Sequence, residues 1–575
     1  MLRHRTFAFT SSLLGLLALA GCDDGSSSGG AAEGSTGAAE ETGDPQTTAN
    51  PSSTAGSTAG PSSSSAGSTS AETGVDDTGE TGDATDATGS QGAAPEVTLT
   101  SPRANSASAA QLVIFEGSVS DPDGDVESLT LDAPDATYTV ELEDDGSFRG
   151  LVPLAPGPGD YTLTAADADG NEGSTSVPVH FGHRVSVGNS QAAYLREGTL
   201  YTWGRNELGQ LGNGTLLGSA WGDDPSTADL PLRYELDTDG LISVVTRQTF
   251  MVALRDDGSV LTWGDNESGQ LGQAAPADCG NSGTIPCLRV PTEVPGISNA
   301  IAIGAGFDHT LVLLDDGSVL SFGSNEYGQL GDAAAGPSRM DPAAVPGLED
   351  VVQVAAGSDV SYAVLLDGSV YAWGENDRGQ LGQGTTDGDA HPTPTVVDGV
   401  EDVLQVAAAN TTAFALLGNG TVLAWGRNHA GQAGVGDDSG DDVLAPTAVV
   451  VESGDPLENV VSISGDGFVG MALTHDGTVY AWGLGALGQL GQGFLAGGER
   501  DLDNRVYASP VAVDRADARA FDILEIEGGA GGPSLAYSTD QHLFGWGWSF
   551  QGSLGLEGAI NAWAYSAPVL VFAAD

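Results

Sequence analysis

Lysine is absent from this chain of 575 residues: all 18 basic side chains are arginines, set against 79 carboxylates for a formal net charge of −61. Phosphate-binding loops of the G-x-x-x-x-G-K type, a kinase strand lysine and a Schiff-base nucleophile all need an ammonium group, so none of them can exist here. The charge also repels a phosphodiester backbone, because affinity for nucleic acid comes largely from cations that displace condensed counterions. DNA and RNA are excluded as partners on that ground, and the acidity reads either as solubility in an exported protein or as recruitment of a basic ligand. The eight histidines are scattered, with no H-E-x-x-H or H-x-H pair to hold a metal. Only three cysteines occur, and aromatic residues make up 6% of the chain. By contrast there are 85 glycines, which favours short strands joined by tight turns over long helices.

Long apolar runs are also missing. The only extended one lies in "MLRHRTFAFTSSLLGLLALAGC", which opens with Arg3, His4 and Arg5 and is too short for a permanent transmembrane helix. Leu19-Ala20-Gly21-Cys22 resembles the lipobox of bacterial lipoproteins. That resemblance implies a signal peptide over 1–21, cleavage before Cys22, diacylation of its sulfur and a lipid anchor in a bacterial cell envelope. Two or more acyl chains make such an anchor stable. An ordinary secretory signal followed by an unrelated cysteine is the other reading. Residues 22–94 hold one large aliphatic, Val75, no aromatic and twelve acids with no base. Such a segment cannot offset the entropy of ordering its backbone, so a disordered tether is expected, with an r.m.s. span of roughly 45–50 Å even without charge. "GSSSG" at 25–29 matches the serine-hydrolase elbow G-x-S-x-G, but the elbow works only on a strained strand-to-helix turn.

Ordered sequence is expected from Pro95. Apolar residues alternate at Tyr138, Val140, Leu142, at Tyr161, Leu163, Ala165 and at Val177, Val179, Phe181. A small antiparallel β-sandwich over 95–182 follows from that period. "SDPDGDVESLTL" and "YTLTAADADGNEG" resemble immunoglobulin-like or cadherin-like modules of bacteria, which act as spacers or adhesive stalks. Asp121, Asp123, Asp125, Asp167 and Asp169 could supply oxygens to calcium, or simply form turns; Gly124 is misplaced for an EF-hand. No other cofactor is expected.

Residues 183–575 carry an internal repeat. The pairs Trp203-Gly204, Trp263-Gly264, Phe322-Gly323, Trp373-Gly374, Trp425-Gly426, Trp482-Gly483 and Trp546-Gly547 recur at intervals of 60, 59, 51, 52, 57 and 64 residues. Five residues before each aromatic stands a glycine, or Gln541 in the last copy, and six residues after it a glycine that opens G-Q-L-G or a variant. Fixed units joined by elastic connections are the mark of a repeat fold. "VVQVAAG", "SYAVLLDG" and "SVYAWG" read as successive strands, with a fourth near Pro392–Val397. Asp-Gly is read as a two-residue hairpin turn with both residues at positive φ. Four such strands bury little alone, whereas seven sheets around an axis bury both faces of each. The expected fold class is all-β: a seven-bladed propeller preceded by the sandwich and the tether.

The register G-x-x-H-T-x-x-L at Gly306–Leu313, followed by D-G-S-V, W-G and G-Q-L-G, resembles the RCC1 (regulator of chromosome condensation 1) repeat. That resemblance implies the propeller. The founder of the family exchanges guanine nucleotide on a small GTPase and docks on chromatin, which an exported lipoprotein does not meet; secreted bacterial propellers of this kind bind proteins. A lipid-anchored protein-binding scaffold is therefore expected, and not an enzyme. The alternative is an envelope carbohydrate-active enzyme or glycan-binding protein, although the sialidase turn S-x-D-x-G-x-T-W does not fit the spacing here. The partner surface is expected on the loops after "VAAG", at Asn189, Arg247, Phe307, Asp308, Asp359, Asn410, Asp466 and Phe468, or these are plain turn residues. "GLGALG" at 483–488 matches the dinucleotide fingerprint. Gly485, however, only replaces the asparagine of "GRNELG" and "GENDRG", both being read as tolerating the left-handed backbone the turn needs. Cys279 and Cys287, eight apart in a loop containing Gly and Pro, are expected to pair.

Overall fold

The computed structural model describes residues 93–122, 124–216, 234–236, 238–280, 283–493, 502–511, 523–529, 532–550, 553–554 and 561–572. The expected signal peptide, Cys22 and all but the last two residues of the expected tether lie outside the described residues, as does Asp123. Every element named among the described residues is a β-strand.

Strands between Glu96 and Phe181 form two sheets. One contains Glu96–Ser101, Leu112–Ser120 and Ser147–Pro153; the other contains Ser106–Ser108, Glu172–Phe181, Gly157–Asp167, Val126–Asp132 and Thr137–Val140. Alternation drives the packing: Leu129, Leu131, Leu163, Ala165, Val177, Val179 and Phe181 of one sheet face Val97, Phe115, Val119, Phe148 and Val152 of the other.

Seven further sheets follow in chain order, numbered 1 to 7 here. Their first strands are Val185–Val187, Leu241–Thr246, Ala300–Ala305, Val351–Ala356, Val403–Ala409, Val460–Asp466 and Ile523–Glu527. Each sheet is a four-stranded antiparallel meander in chain order, and sheet 2 adds a fifth strand, Ala277–Cys279, outside Ile285–Glu293. Sheet 4 is representative: Val351–Ala356, Val360–Leu365, Val370–Gly374 and His391–Val396.

The Asp-Gly turns differ from expectation in sheets 2 to 6. Gly258, Gly317, Gly368, Gly420 and Gly477 have φ of 77–84°, but the preceding Asp or Asn does not take positive φ. In sheet 4 Leu365 N–H bonds to Ser369 O and Gly368 N–H to Leu365 O, which makes a three-residue loop ending in a left-handed glycine. The Asp367 carboxylate instead accepts from Ser369 N and Oγ at 3.0 and 2.6 Å, and these bonds hold it below the usual carboxylate range. Only sheet 1 has the two-residue form, with Glu197 and Gly198 at φ 50° and 81°. In sheet 7 Gln541 takes the left-handed place itself, at φ 60°.

The motif aromatics join neighbouring sheets. Each motif indole is at most 1% exposed, and its N–H reaches a backbone carbonyl of the preceding sheet's G-Q loop. Trp263 donates to Gln210 O, Trp373 to Gln329 O, Trp425 to Gln380 O, Trp482 to Gln432 O and Trp546 to Gln489 O, all at 2.8–3.0 Å. Trp203 of sheet 1 donates to Ser553 O of sheet 7 at 2.9 Å. Sheet 3 carries Phe322, which has no N–H; there Gln270 O accepts from Thr310 Oγ1 at 2.9 Å. The glycine after the aromatic is required by close approach in sheets 1 to 6. A Cβ on Gly374, whose φ is 114°, would strike the Asp359 carbonyl.

First strands meet at the axis, where side chains cover their bare edges. Gln353 and Gln405 each exchange two hydrogen bonds with the next sheet's first strand, at Val406 and Ile463. Glu525 of sheet 7 accepts from the Arg184 and Val185 amides of the sheet 1 segment and pairs with the Arg184 guanidinium at 3.2 Å. Arg247 spans the centre: its Nε and Nη2 donate to Ala305 O and Ala356 O at 2.8 Å, and Nη1 pairs with Asp466 at 2.6 Å. Its own carbonyl accepts from Gln191 Nε2 of sheet 1. A narrow cavity of about 70 Å³ is left around it.

Two outcomes follow from this packing. Trp373→Ala is expected to lose about 3–5 kcal/mol in urea denaturation, whereas Trp373→Phe, the solution sheet 3 already uses, loses about 1–2 kcal/mol. Buried Glu527 lies beside the axis, and burial, with the Asp466 charge adding to it against Arg247, pushes its carboxyl up to about 8. The folded chain then holds a proton that the unfolded chain releases near 4.5, so this contribution to stability is complete below that pH and is lost as pH rises through about 8. The thermal midpoint of Glu527→Gln relative to wild type should therefore climb between pH 5 and pH 9; a constant difference would refute the assignment.

Candidate partner-binding face

The sheets present two ends. One carries the Asp-Gly turns, and the sandwich docks there. Leu112 enters the core of sheets 4 and 5, His180 Nε2 bonds to Ile242 O at 2.7 Å, His475 Nε2 to Thr100 O at 2.5 Å, and Arg149 donates to Gly418 O. A cleft of about 970 Å³ remains beside this junction, walled by Arg103, Glu116 and Arg149 on one side and Asp402, Glu458 and His475 on the other. The opposite end carries the loops after the first strands and the W-G-x-N-x-x-G-Q loops.

That second loop is built by its asparagine and glutamine. Asn376 Oδ1 accepts from Leu381 N at 3.2 Å, and Gln380 Oε1 accepts from Arg378 N at 2.8 Å. Asn206, Asn266, Asn325 and Asn428 repeat the first bond, and Gln210, Gln270, Gln329, Gln432 and Gln489 the second. These asparagines are not left-handed, and neither is Gly485, which corrects the backbone argument for that position. The asparagine is there for its amide. Where Gly485 lacks one, Asn504 Oδ1 takes the Gly485 N–H at 3.0 Å, and a Cβ at 485 would strike the Asp503 carbonyl. "GLGALG" is thus one more copy of this loop.

The eight residues expected at the partner surface divide into two groups. Arg247 and Asp466 point into the ring as the axial pair described above, Asp466 being 1% exposed. Asn189, Phe307, Asp308, Asp359, Asn410 and Phe468 are half-buried at the loop end. Asn410 is left-handed at φ 43°, and its carbonyl accepts from Ser358 N at 2.8 Å. Asp308, Asp359 and Phe468 occupy one equivalent place, each accepting through its carbonyl the N–H that follows a motif W-G or F-G pair: Ser324, Glu375 and Leu484.

The loop end is electrically uneven. Asp265 and Glu267 of sheet 2, Asp308 and Glu326 of sheet 3, and Asp359, Glu375 and Asp377 of sheet 4 form an acidic arc. Burial, then the neighbouring carboxylates, raises Asp308 to about 6 and Asp359 to about 7; Asp265 reaches about 6, mainly by burial. Gln270 Nε2 reaches Asp308 at 3.5 Å and Gln329 Nε2 reaches Asp359 at 2.8 Å. On sheets 5 and 6 the same positions hold Arg427, His429 and Phe468. Reading the first loop alone missed Asp265, Glu375, Arg427 and His429. Their signal was present, because they vary between a fixed asparagine and a fixed glycine.

Asp121, Asp125 and Asp167 bring oxygens within 4.8 Å of one another at one end of the sandwich. Their hydrogen bonds are those of turns. Asp121 Oδ2 accepts from Asp125 N, and Asp167 accepts from the amides of Asp169 and Asn171 and from Asn171 Nδ2. Cys279 and Cys287 form a disulfide across the outer strands of sheet 2, with Cα atoms 6.0 Å apart, which leaves their sulfurs committed.

A raised carboxyl in the arc predicts a pH signature. Asp359 keeps its proton in the folded chain up to about 7 while the unfolded chain releases it near 3.8, so its cost to stability builds between those values and is complete above about pH 7. Asp359→Asn should raise the thermal midpoint at pH 8 and leave it almost unchanged at pH 4; equal effects at both would rule out a carboxyl raised by burial and its acidic neighbours.

Comparison with known proteins gives the same architecture. The family model of the RCC1-like domain matches residues 159–410. The ultraviolet-B receptor UVR8 of Arabidopsis thaliana is 30% identical over 385 residues, covering 66% of this chain and 79% of that protein. The crystal structure of human WBSCR16 superposes with a TM-score of 0.53 at 23% identity, over 66% of this chain and 94% of that one. Yeast RCC1 (Prp20), crystallised bound to Kap60, gives 0.49 at 22% identity over 60% and 78%. The repeated sheets, their W-G punctuation and the match to UVR8 together make the chain a member of the RCC1-repeat family.

Proposed function

We propose that this protein is a non-catalytic, protein-binding scaffold held at a bacterial envelope membrane through lipid on Cys22, and that the loop end of its seven-sheet ring is the binding surface. One observation carries the reading: the sandwich docks on the Asp-Gly end, while the loop end sets variable side chains on a recurring frame of asparagine, glutamine and glycine bonds. Scaffolds that carry recognition are built in this way. The arc of carboxylates suits a protein partner with basic side chains, since complementary charge sets orientation and encounter rate. The Leu-Ala-Gly-Cys sequence supports the anchor.

The test is a paired substitution in the full chain, made at one end at a time. Asp308→Asn with Asp359→Asn should weaken capture of a discrete partner from native envelope at least about tenfold, while Leu366→Ser, at an exposed site on the Asp-Gly end, should not. Loss through Leu366→Ser alone would move the surface to the other end. Cys22→Ala should shift the protein from the membrane to the soluble fraction, and retention in the membrane would remove the lipid anchor from the reading.

A further inference from the structure

In sheets 1, 2, 3 and 4 the residue immediately after W-G or F-G and the residue two further on are Arg205 and Glu207, Asp265 and Glu267, Ser324 and Glu326, and Glu375 and Asp377. Arg205 is neutralised within its own loop by Glu207 at 2.8 Å. Sheet 5 has Arg427 in that place, but the residue two further on is His429. His429 offers no charge: burial, then Arg427, pushes its imidazole down to about 4. Arg427 has no carboxylate within 4 Å and no side-chain hydrogen bond among the described residues, in a chain where carboxylates outnumber arginines by more than four to one.

The guanidinium is nevertheless held in place. It is half-buried, with its central carbon 5.4 Å from the centre of the Phe468 ring, and His429 packs edge-on against the same ring at 5.3 Å and 87°. A cation over an aromatic face is held there by the ring's electrostatics, and its N–H groups stay able to meet a planar bidentate acceptor. Burial, then Arg378, lowers the Arg427 pKa, which marks a cation with incomplete compensation. Nearby Asp377 and Asp442 lie 3.4 and 3.7 Å from Arg378, so the surroundings of Arg427 carry acids already engaged elsewhere. Those acids would repel a dianion such as phosphate more than a single carboxylate.

We propose that Arg427, held over the Phe468 ring, is the seat for a carboxylate of the partner protein, an Asp or Glu side chain or a C-terminal carboxylate. It rests on the loop end being the binding surface and adds a second chemistry to it: the partner places basic groups over sheets 2 to 4 and an acid over sheets 5 and 6. Arg427 reads the acid and Phe468 orders the reader.

The test uses the full chain and a fluorescein-labelled Gly-Ser peptide carrying two glutamates, its glutamine counterpart, and versions with free or amidated C-termini, followed by anisotropy at physiological salt. The glutamate peptide should saturate, with its glutamine counterpart about tenfold weaker. Arg427→Gln should cost a similar factor, Arg427→Lys less because it keeps charge and loses the fork, and Phe468→Leu about threefold. Equal binding to wild type and Arg427→Gln, or stronger displacement by inorganic phosphate than by acetate, overturns the assignment. Sedimentation showing a dimer that Arg427→Gln abolishes would give the acid to a second copy and overturn the foreign partner. If Arg427→Gln leaves an envelope partner bound while the Asp308 and Asp359 substitutions release it, the seat fails and the loop end stands.

Discussion

A four-stranded antiparallel sheet has two apolar faces and two unpaired edges, and no single copy here can bury either. The indole N–H that crosses from one sheet to a carbonyl of its neighbour is the recurring answer. It removes the polar cost of burying a large aromatic and fixes the distance and rotation between consecutive sheets in one bond. The carbonyl it needs belongs to the glutamine of the G-Q loop, so the two halves of the motif are constrained by the same contact. The last such bond, Trp203 to Ser553, ties the first sheet to the seventh.

The axis shows the same problem at the other edge of each sheet. First strands carry no partner strand on the inner side, and backbone N–H groups there are met by Gln353, Gln405, Ser186 and Glu525 instead. Arg247 concentrates this role, since one guanidinium bonds carbonyls of two sheets and a carboxylate of a third. The channel so filled keeps only a cavity of about 70 Å³ around Arg247. With the sandwich on one end, the chemistry that differs from copy to copy gathers at the other.

Much of this was legible in the chain itself. The sevenfold spacing of the aromatic-glycine pairs, the glycine five residues earlier and the G-Q six residues later report fixed bonds, and fixed bonds leave fixed spacing. Less was legible where one residue type serves two purposes. Asn376 and its equivalents looked like backbone residues and are side-chain staples; Asp367 looked like half of a two-residue turn and is the acceptor for Ser369. In the sequence Arg247 and Asp466 fall where variable loops are expected, yet they meet across the axis over a separation of more than two hundred residues.

Sequence alone determined the repeat, the all-β class, the placement of glycines and the cysteine pair, because each rests on contacts within a few dozen residues whose spacing the chain preserves. Tertiary structure alone decided which polar residues became framework and which face solvent, where the sandwich docks, and that Arg427 rests on Phe468 of the next sheet. Those outcomes depend on the ring bringing distant loops to the same end, and a one-dimensional spacing carries no information about which copies become neighbours across an axis.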